Sequence, residues 1–267
     1  MLKNSRWVQS PVWPEVEKLL KEIKISDTYY LRGNNKASGE LKSVIELHRE
    51  WVKSIIDLSE FPHAYVTSGA TEAINHWRMT DKRPWQYFKG DYQWPQIISK
   101  NGSENKYLNS KEVLYVSNPA CSTGNFITLK NIDNPVILDC AYITATAIKK
   151  ITVPKNTEQV MFSFSKGFGL IGQRCGLVYT KEPHPTLEPL NNVECFNYSS
   201  SKIMEAMMNN FTVDEMYNKY KDIQKEVCDK YDLIPSDTYF VATSTDPFYK
   251  KLRRNENTAR LCITGIE

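Results

Sequence analysis

Apolar residues recur at helical spacing in two N-terminal segments. In 14–24, Val16, Leu19, Leu20 and Ile23 share one face behind a proline suited to a first turn. In "SGELKSVIELHREWVKSIIDL", positions Leu41, Val44, Ile45, His48, Trp51, Val52, Ile55 and Ile56 repeat the pattern, which predicts a long amphipathic helix from Ser38. The stretch 25–37 between them reads as irregular. From residue 63 the texture changes to short β-like runs: "HAYVT" (63–67), "EVLYVS" (112–117), "PVILD" (135–139), "QVMFSFS" (159–165) and "CGLVYT" (175–180). Helical or turn segments such as "ATEAINHWRM" separate them. That alternation predicts an α/β sheet, mainly parallel.

Three prolines in "KEPHPTLEPLNN" (181–192) interrupt the pattern. Beyond them 200–232 is largely helical, and "TYFVATS" and "ARLCITG" read as strands around a helix-like "FYKKLRR". The expected organisation is an N-terminal segment (1–37), a large α/β domain (38–185) and a small C-terminal α+β domain (186–267).

The chemistry concentrates in "SFSKGFGLIGQRCG" (163–176). Gly167, Gly169 and Gly172 spell G-x-G-x-x-G behind a strand. A dinucleotide site needs a helix after the glycines and an acidic residue about 20 positions later. Here a further strand begins near Gly176, which leaves no room for a crossover helix. The dinucleotide reading fails, and Lys166 becomes the candidate. A lysine closing a buried strand, flanked by Ser163, Ser165 and Arg174, can form a Schiff base with an aldehyde cofactor while its neighbours hold a phosphate.

Ser163-x-x-Lys166, followed by Arg174 and Gly176, resembles the cofactor-lysine segment of fold-type I pyridoxal-phosphate enzymes, the aminotransferase family. Three more segments match in the family's order: "TSGATEAI" (67–74), "SNPACSTGNF" (117–126) and "LDCAY" (138–142). The resemblance is firmest over 60–180. It implies a large domain with a mainly parallel seven-stranded sheet between helices, a small α+β domain and pyridoxal 5'-phosphate as cofactor. It also implies roles. Lys166 would form the Schiff base and act as general acid and base, Asp139 would pair with the ring nitrogen, and Tyr142 would hydrogen-bond the ring hydroxyl. Gly69, Ala70, Thr71, Ser163 and Arg174 would surround the phosphate, where a helix N-terminus favours an anion. Tyr92 would stack on the ring, Tyr30 would reach across a dimer, and Arg260 would grip the substrate carboxylate. Cys121 stands where the family has an asparagine. A thiol is a weak donor, so Asn118 or a water would have to substitute. No second arginine stands out for a substrate side chain.

Bulk composition narrows the alternatives. With 34 basic and 31 acidic residues the net charge is +3, too balanced to point to nucleic acid. No apolar run approaches a membrane span, and the N-terminus lacks a signal-peptide core. The six cysteines form no C-x-x-C pair and the four histidines no metal-ligand spacing, so a reduced, cytoplasmic protein without a metal is expected. The first expectation is an aminotransferase, a homodimer passing an amino group from an amino acid to a keto acid. Decarboxylation, elimination or other Cα chemistry on the same cofactor is the second. A non-catalytic relative is disfavoured, because a scaffold has no use for Lys166, Asp139 and Arg174 together.

Overall fold

A computed structural model describes residues 13–23, 36–105 and 111–264. The two N-terminal periodic segments form α1 (Pro14–Glu22) and α2 (Lys36–Val52). His48 occupies an apolar position of α2 because its Nδ1 lies 2.9 Å from the Tyr179 hydroxyl, inside the core. Burial holds its pKa down at about 3, so the ring stays neutral. The α/β section then runs β1 (His63–Thr67), α3 (Ala70–Thr80), β2 (Trp85–Tyr87), α4 (Trp94–Ile98), β3 (Gly102–Glu104) and β4 (Val113–Ser117). It continues through β5 (Val136–Asp139), β6 (Thr157–Ser163) and β7 (Gly176–Thr180). Sequence pattern misses β2 and β3, since three residues cannot display a period.

The seven strands form one sheet in the order β1-β7-β6-β5-β4-β2-β3. Neighbours from β6 to β3 run parallel, whereas β7 is antiparallel to both β1 and β6. The cause is the short return: residues 164–175 carry no helix, so β7 must fold straight back. Gly167, Gly169 and Gly172 therefore lie in a tight loop between antiparallel strands, not at a helix start.

Both faces of the sheet are covered, so β4, β5 and β7 bury every residue. Along β4, Leu114 and Val116 face a core shared with Val44, Ile55 and Met204, while Val113 and Tyr115 face one shared with Ile74, Trp77 and Trp85. The period of two thus survives as a choice between two apolar cores. Helix α3 covers one face; α2 and α6 (Tyr198–Asn210) cover the other. Because β4, β5 and β6 are parallel, Ser117, Asp139 and Ser163 end along one sheet edge. The Thr67 end of β1 and the N-terminus of α3 lie along that edge as well, the usual location for ligands in such sheets.

The C-terminal part contains α5 (Leu187–Asn192), α7 (Glu215–Tyr231), β8 (Ile234–Pro235), β9 (Val241–Ser244) and β10 (Ala259–Cys262). Its three strands make a separate antiparallel sheet, β10-β9-β8. The expected helix-like "FYKKLRR" is a 3₁₀ turn, Pro247–Leu252. The turn before β9 fastens this unit to the sheet edge: Thr238 Oγ1 donates to Gly124 O at 2.8 Å, and Tyr239 N donates to Ala145 O at 3.0 Å. Buried Gln224 of α7 holds that turn, its Nε2 lying 2.7–3.0 Å from the carbonyls of Ser236, Thr238 and Val241. Gln224→Ala leaves these acceptors short of a donor, so we expect urea unfolding to show a loss of about 1–3 kcal/mol.

Candidate active site

A pocket at the sheet edge is lined by Asp91, Tyr92, Ser117, Cys121, Asp139, Ala141, Tyr142, Lys166, Arg254 and Arg260. Six of the residues anticipated from sequence meet here: Tyr92, Cys121, Asp139, Tyr142, Lys166 and Arg260. Asp139 ends β5, where the peptide turns toward Tyr142. Its carboxylate accepts from the Tyr115 hydroxyl at 2.5 Å and from Ala141 N at 2.9 Å. Burial raises its pKa above the usual carboxylate range; the two donors and the charge of Lys166 oppose the rise without cancelling it.

Lys166 sits in the turn after β6. Burial pushes its pKa below that of a free lysine, and the nearby Arg260 charge pushes the same way, against the pull of Cys121, Cys262 and Asp139. Its amine is thereby biased toward the neutral, nucleophilic form.

Beside this pocket the start of α3 forms an anion cradle. Gly69 adopts φ +80°, and a Cβ there would lie 3.1 Å from Arg174 Nη2 and 3.7 Å from Ser163 Oγ. Across from it, a Cβ on Gly176 would come within 2.6 Å of Gly69 Cα. Two glycines are thus needed for β7 to pass the α3 N-terminus. Arg174 Nη2 is steered there by a 2.9 Å bond to Ser68 O. Thr71 Oγ1 lies 3.4 Å from the Tyr92 hydroxyl, which links the cradle to the pocket. The α3 N-terminus at Gly69, Ala70 and Thr71, with Ser163 and Arg174, could supply donors to an anion.

Arg260 on β10 completes the pocket from the C-terminal unit. Its Nη1 donates to the Cys121 carbonyl and lies 3.2 Å from Cys121 Sγ, while its Nε is buried without a hydrogen-bond partner. Cys121 Sγ also lies 3.8 Å from the Tyr142 hydroxyl.

Asn118 behaves differently from the sequence-based expectation. Its Nδ2 donates to Ile127 O and its Oδ1 accepts from Ile127 N, each at 3.1 Å, so its amide braces the following loop instead of lining the pocket. Tyr30 lies outside the described residues.

Tyr115, Arg254 and Asp91 contribute to the site without a signal in the sequence reading. Tyr115 is one aromatic in an unbroken apolar run and carries no motif. Arg254 reads as a solvated charge in "KKLRR", yet it brings a second arginine to the pocket. Asp91 precedes Tyr92 and is 4% exposed. It accepts from Ser117 N at 3.0 Å, Ser117 Oγ at 2.5 Å and Tyr92 N at 2.7 Å. These bonds tie the Tyr92 loop to the end of β4. Burial nevertheless raises the Asp91 pKa to about 6, and the nearby Asp139 charge adds to the rise.

The pH consequence has a definite sign. Between about pH 4 and pH 6 the folded chain keeps the Asp91 proton that the unfolded chain has released. Stability from this group therefore falls as pH rises through that window, by up to about 3 kcal/mol. Unfolding free energies of wild type and Asp91→Ser, measured from pH 4 to 7, are expected to diverge with that slope, the variant having the flatter profile.

No family model matches the chain. A curated relative, histidinol-phosphate aminotransferase of Buchnera aphidicola subsp. Melaphis rhois, is 29% identical over 143 residues, covering 45% of this chain and 39% of that protein. The match thus spans well under half the relative's length. Among solved structures, histidinol-phosphate aminotransferase from Sinorhizobium meliloti in complex with pyridoxal-5'-phosphate is similar with a TM-score of 0.68 at 12% identity. That alignment covers 95% of this chain and 84% of the other. Aspartate aminotransferase from Thermotoga maritima aligns at a TM-score of 0.67 and 16% identity, over 98% and 87% of the two chains. The sheet order, the single reversed strand and the small C-terminal sheet thus make up the fold of the fold-type I aminotransferases.

Proposed function

We propose that this chain is a pyridoxal-phosphate-dependent aminotransferase. One observation carries the reading: a buried carboxylate (Asp139), a desolvated lysine (Lys166) and an anion cradle (Gly69, Ser163, Arg174) adjoin at a single sheet edge. These donors and acceptors fit a group with a phosphate at one end, a basic ring nitrogen at the other and an aldehyde between. When bound, pyridoxal phosphate supplies an aldehyde that condenses with amines and a ring that takes up electrons from a broken Cα bond.

Asp139 would hold the ring-nitrogen proton. A carboxylate buried with too little positive charge has a raised pKa, and a cationic nitrogen beside it would supply what is missing. Lys166, with its amine biased toward the neutral form, would take the proton from the substrate Cα and return it to the former aldehyde carbon, two bonds away. Tyr92, held by the Asp91 loop, would cover one ring face and exclude water there. Arg260 would orient a carboxylate through its unpartnered Nε. The reading extends to amino-acid and keto-acid substrates and a homodimer, as the sequence resemblance implies, and to a cytoplasmic location, as the unpaired cysteines suggest. No helix among the described residues is long and apolar enough to cross a membrane.

The test is the absorbance spectrum of purified protein with pyridoxal phosphate, beside Lys166→Ala. Wild type should develop a band near the visible–ultraviolet edge that borohydride abolishes, with reduced cofactor covalently attached to Lys166. The variant should lack the attachment and lose at least about 10³-fold in kcat for amino-group transfer. Identical spectra for the two proteins would sink the proposal.

A further inference from the structure

Tyr239 reaches the lysine loop from the C-terminal unit. Its hydroxyl donates to the Gly167 carbonyl at 2.7 Å and accepts from Trp13 Nε1 at 2.6 Å. Trp13 stands just before α1, and its ring stacks on Tyr220 of α7, with centroids 3.6 Å apart and planes 17° from parallel. Glu15 of α1 secures the same junction, accepting from the Tyr220 hydroxyl at 3.1 Å and from Lys219 Nζ at 2.6 Å. On the other side of the loop, Gly167 N donates to Thr144 Oγ1 at 3.1 Å.

Gly167 is required there because a Cβ would fall 2.1 Å from Thr144 O. That requirement has a cost. Glycine is the residue whose flanking peptides rotate most freely, and this one immediately follows Lys166. Thr144 pins the peptide on its N-terminal side, and Tyr239 pins the one on its C-terminal side. A hydroxyl that donates and accepts at once polarises both bonds, so Trp13 strengthens the bond that Tyr239 makes to Gly167. Neither Trp13 nor Tyr239 lines the pocket.

We propose that Trp13 and Tyr239 form a positioning relay for Lys166: the chain Trp13 Nε1–Tyr239 Oη–Gly167 O fixes where the amine points, and the N-terminal helix is thereby a working part of the site. The proposal rests on the reading of Lys166 as the cofactor lysine. A displacement near 1 Å at a reacting group costs about 10²-fold in rate, so a distant hydrogen bond can matter.

The experiment compares full-length wild type, Tyr239→Phe and Trp13→Phe. Tyr239→Phe removes the bond to Gly167; Trp13→Phe keeps an aromatic ring over Tyr220 and removes only the donor. The first readout uses cofactor-free protein: the pH profile of Lys166 acylation by acetic anhydride, followed by mass spectrometry with the exposed lysines as internal reference. Tyr239→Phe should change Lys166 reactivity by about threefold or more, and Trp13→Phe should change it in the same direction by less. The second readout uses cofactor-loaded protein, where kcat should fall about tenfold in Tyr239→Phe with KM for the amino acid little changed. An unaltered Lys166 profile in both variants, whatever happens to their melting temperatures, overturns the relay. Failure of wild type to attach pyridoxal phosphate at Lys166 overturns the underlying reading instead, and the acylation profile still decides whether the relay controls the amine.

Discussion

The contact between Gly167 and the Thr144 carbonyl is the constraint on which the site depends. A β-carbon at Gly167 would fall 2.1 Å from that oxygen, so the loop after β6 must cross the segment after β5 at backbone contact distance. This crossing places Lys166 beside Asp139, because the two strands are parallel neighbours paired Asp139 to Met161. The same short loop, with no helix over 164–175, returns the chain past Gly69 and Gly176 as the antiparallel β7.

The charges around that crossing are arranged against the ordinary preference for solvation. Asp91 and Asp139 are both buried and both raised in pKa, while Lys166 is lowered. Desolvation is the leading cause in all three. Such an arrangement is costly in the unliganded chain and becomes favourable once complementary charge enters. Lys181, by contrast, is partly exposed and lies 2.9 Å from Glu60.

Much of this frame was legible in the sequence, for reasons that differ by element. The strand His63–Thr67 is delimited by its β-branched and aromatic run, and α2 by a long apolar stripe, although the helix begins at Lys36, two residues before the serine. Lys166, Asp139, Tyr142 and Arg260 stand out in the sequence because motif spacing survives as a linear signal, and the fold brings all four to one pocket. Asp91 and Arg254 were missed because their significance is their burial and their neighbours, and neither leaves a pattern along the chain. Asn118 was assigned to the cofactor because its residue type suits a hydrogen bond; the fold commits both its polar atoms to Ile127. Residue type announces capacity, and only packing decides where the capacity is used.

Cys121 illustrates the same distinction at the centre of the site. As a replacement for an asparagine, a thiol forfeits a strong donor, and on sequence alone that reads as a loss. In the fold, the sulfur lies 3.2 Å from Arg260 Nη1, and the Cys121 carbonyl accepts from the same nitrogen. The residue therefore tethers β10 to the loop that follows β4. A carboxylate approaching Arg260 meets one donor already shared with Cys121 and one, Nε, with no partner among the described residues. Cys121 therefore costs the pocket an amide donor, yet through Nη1 it holds in place a guanidinium whose Nε keeps its own donor capacity for a ligand.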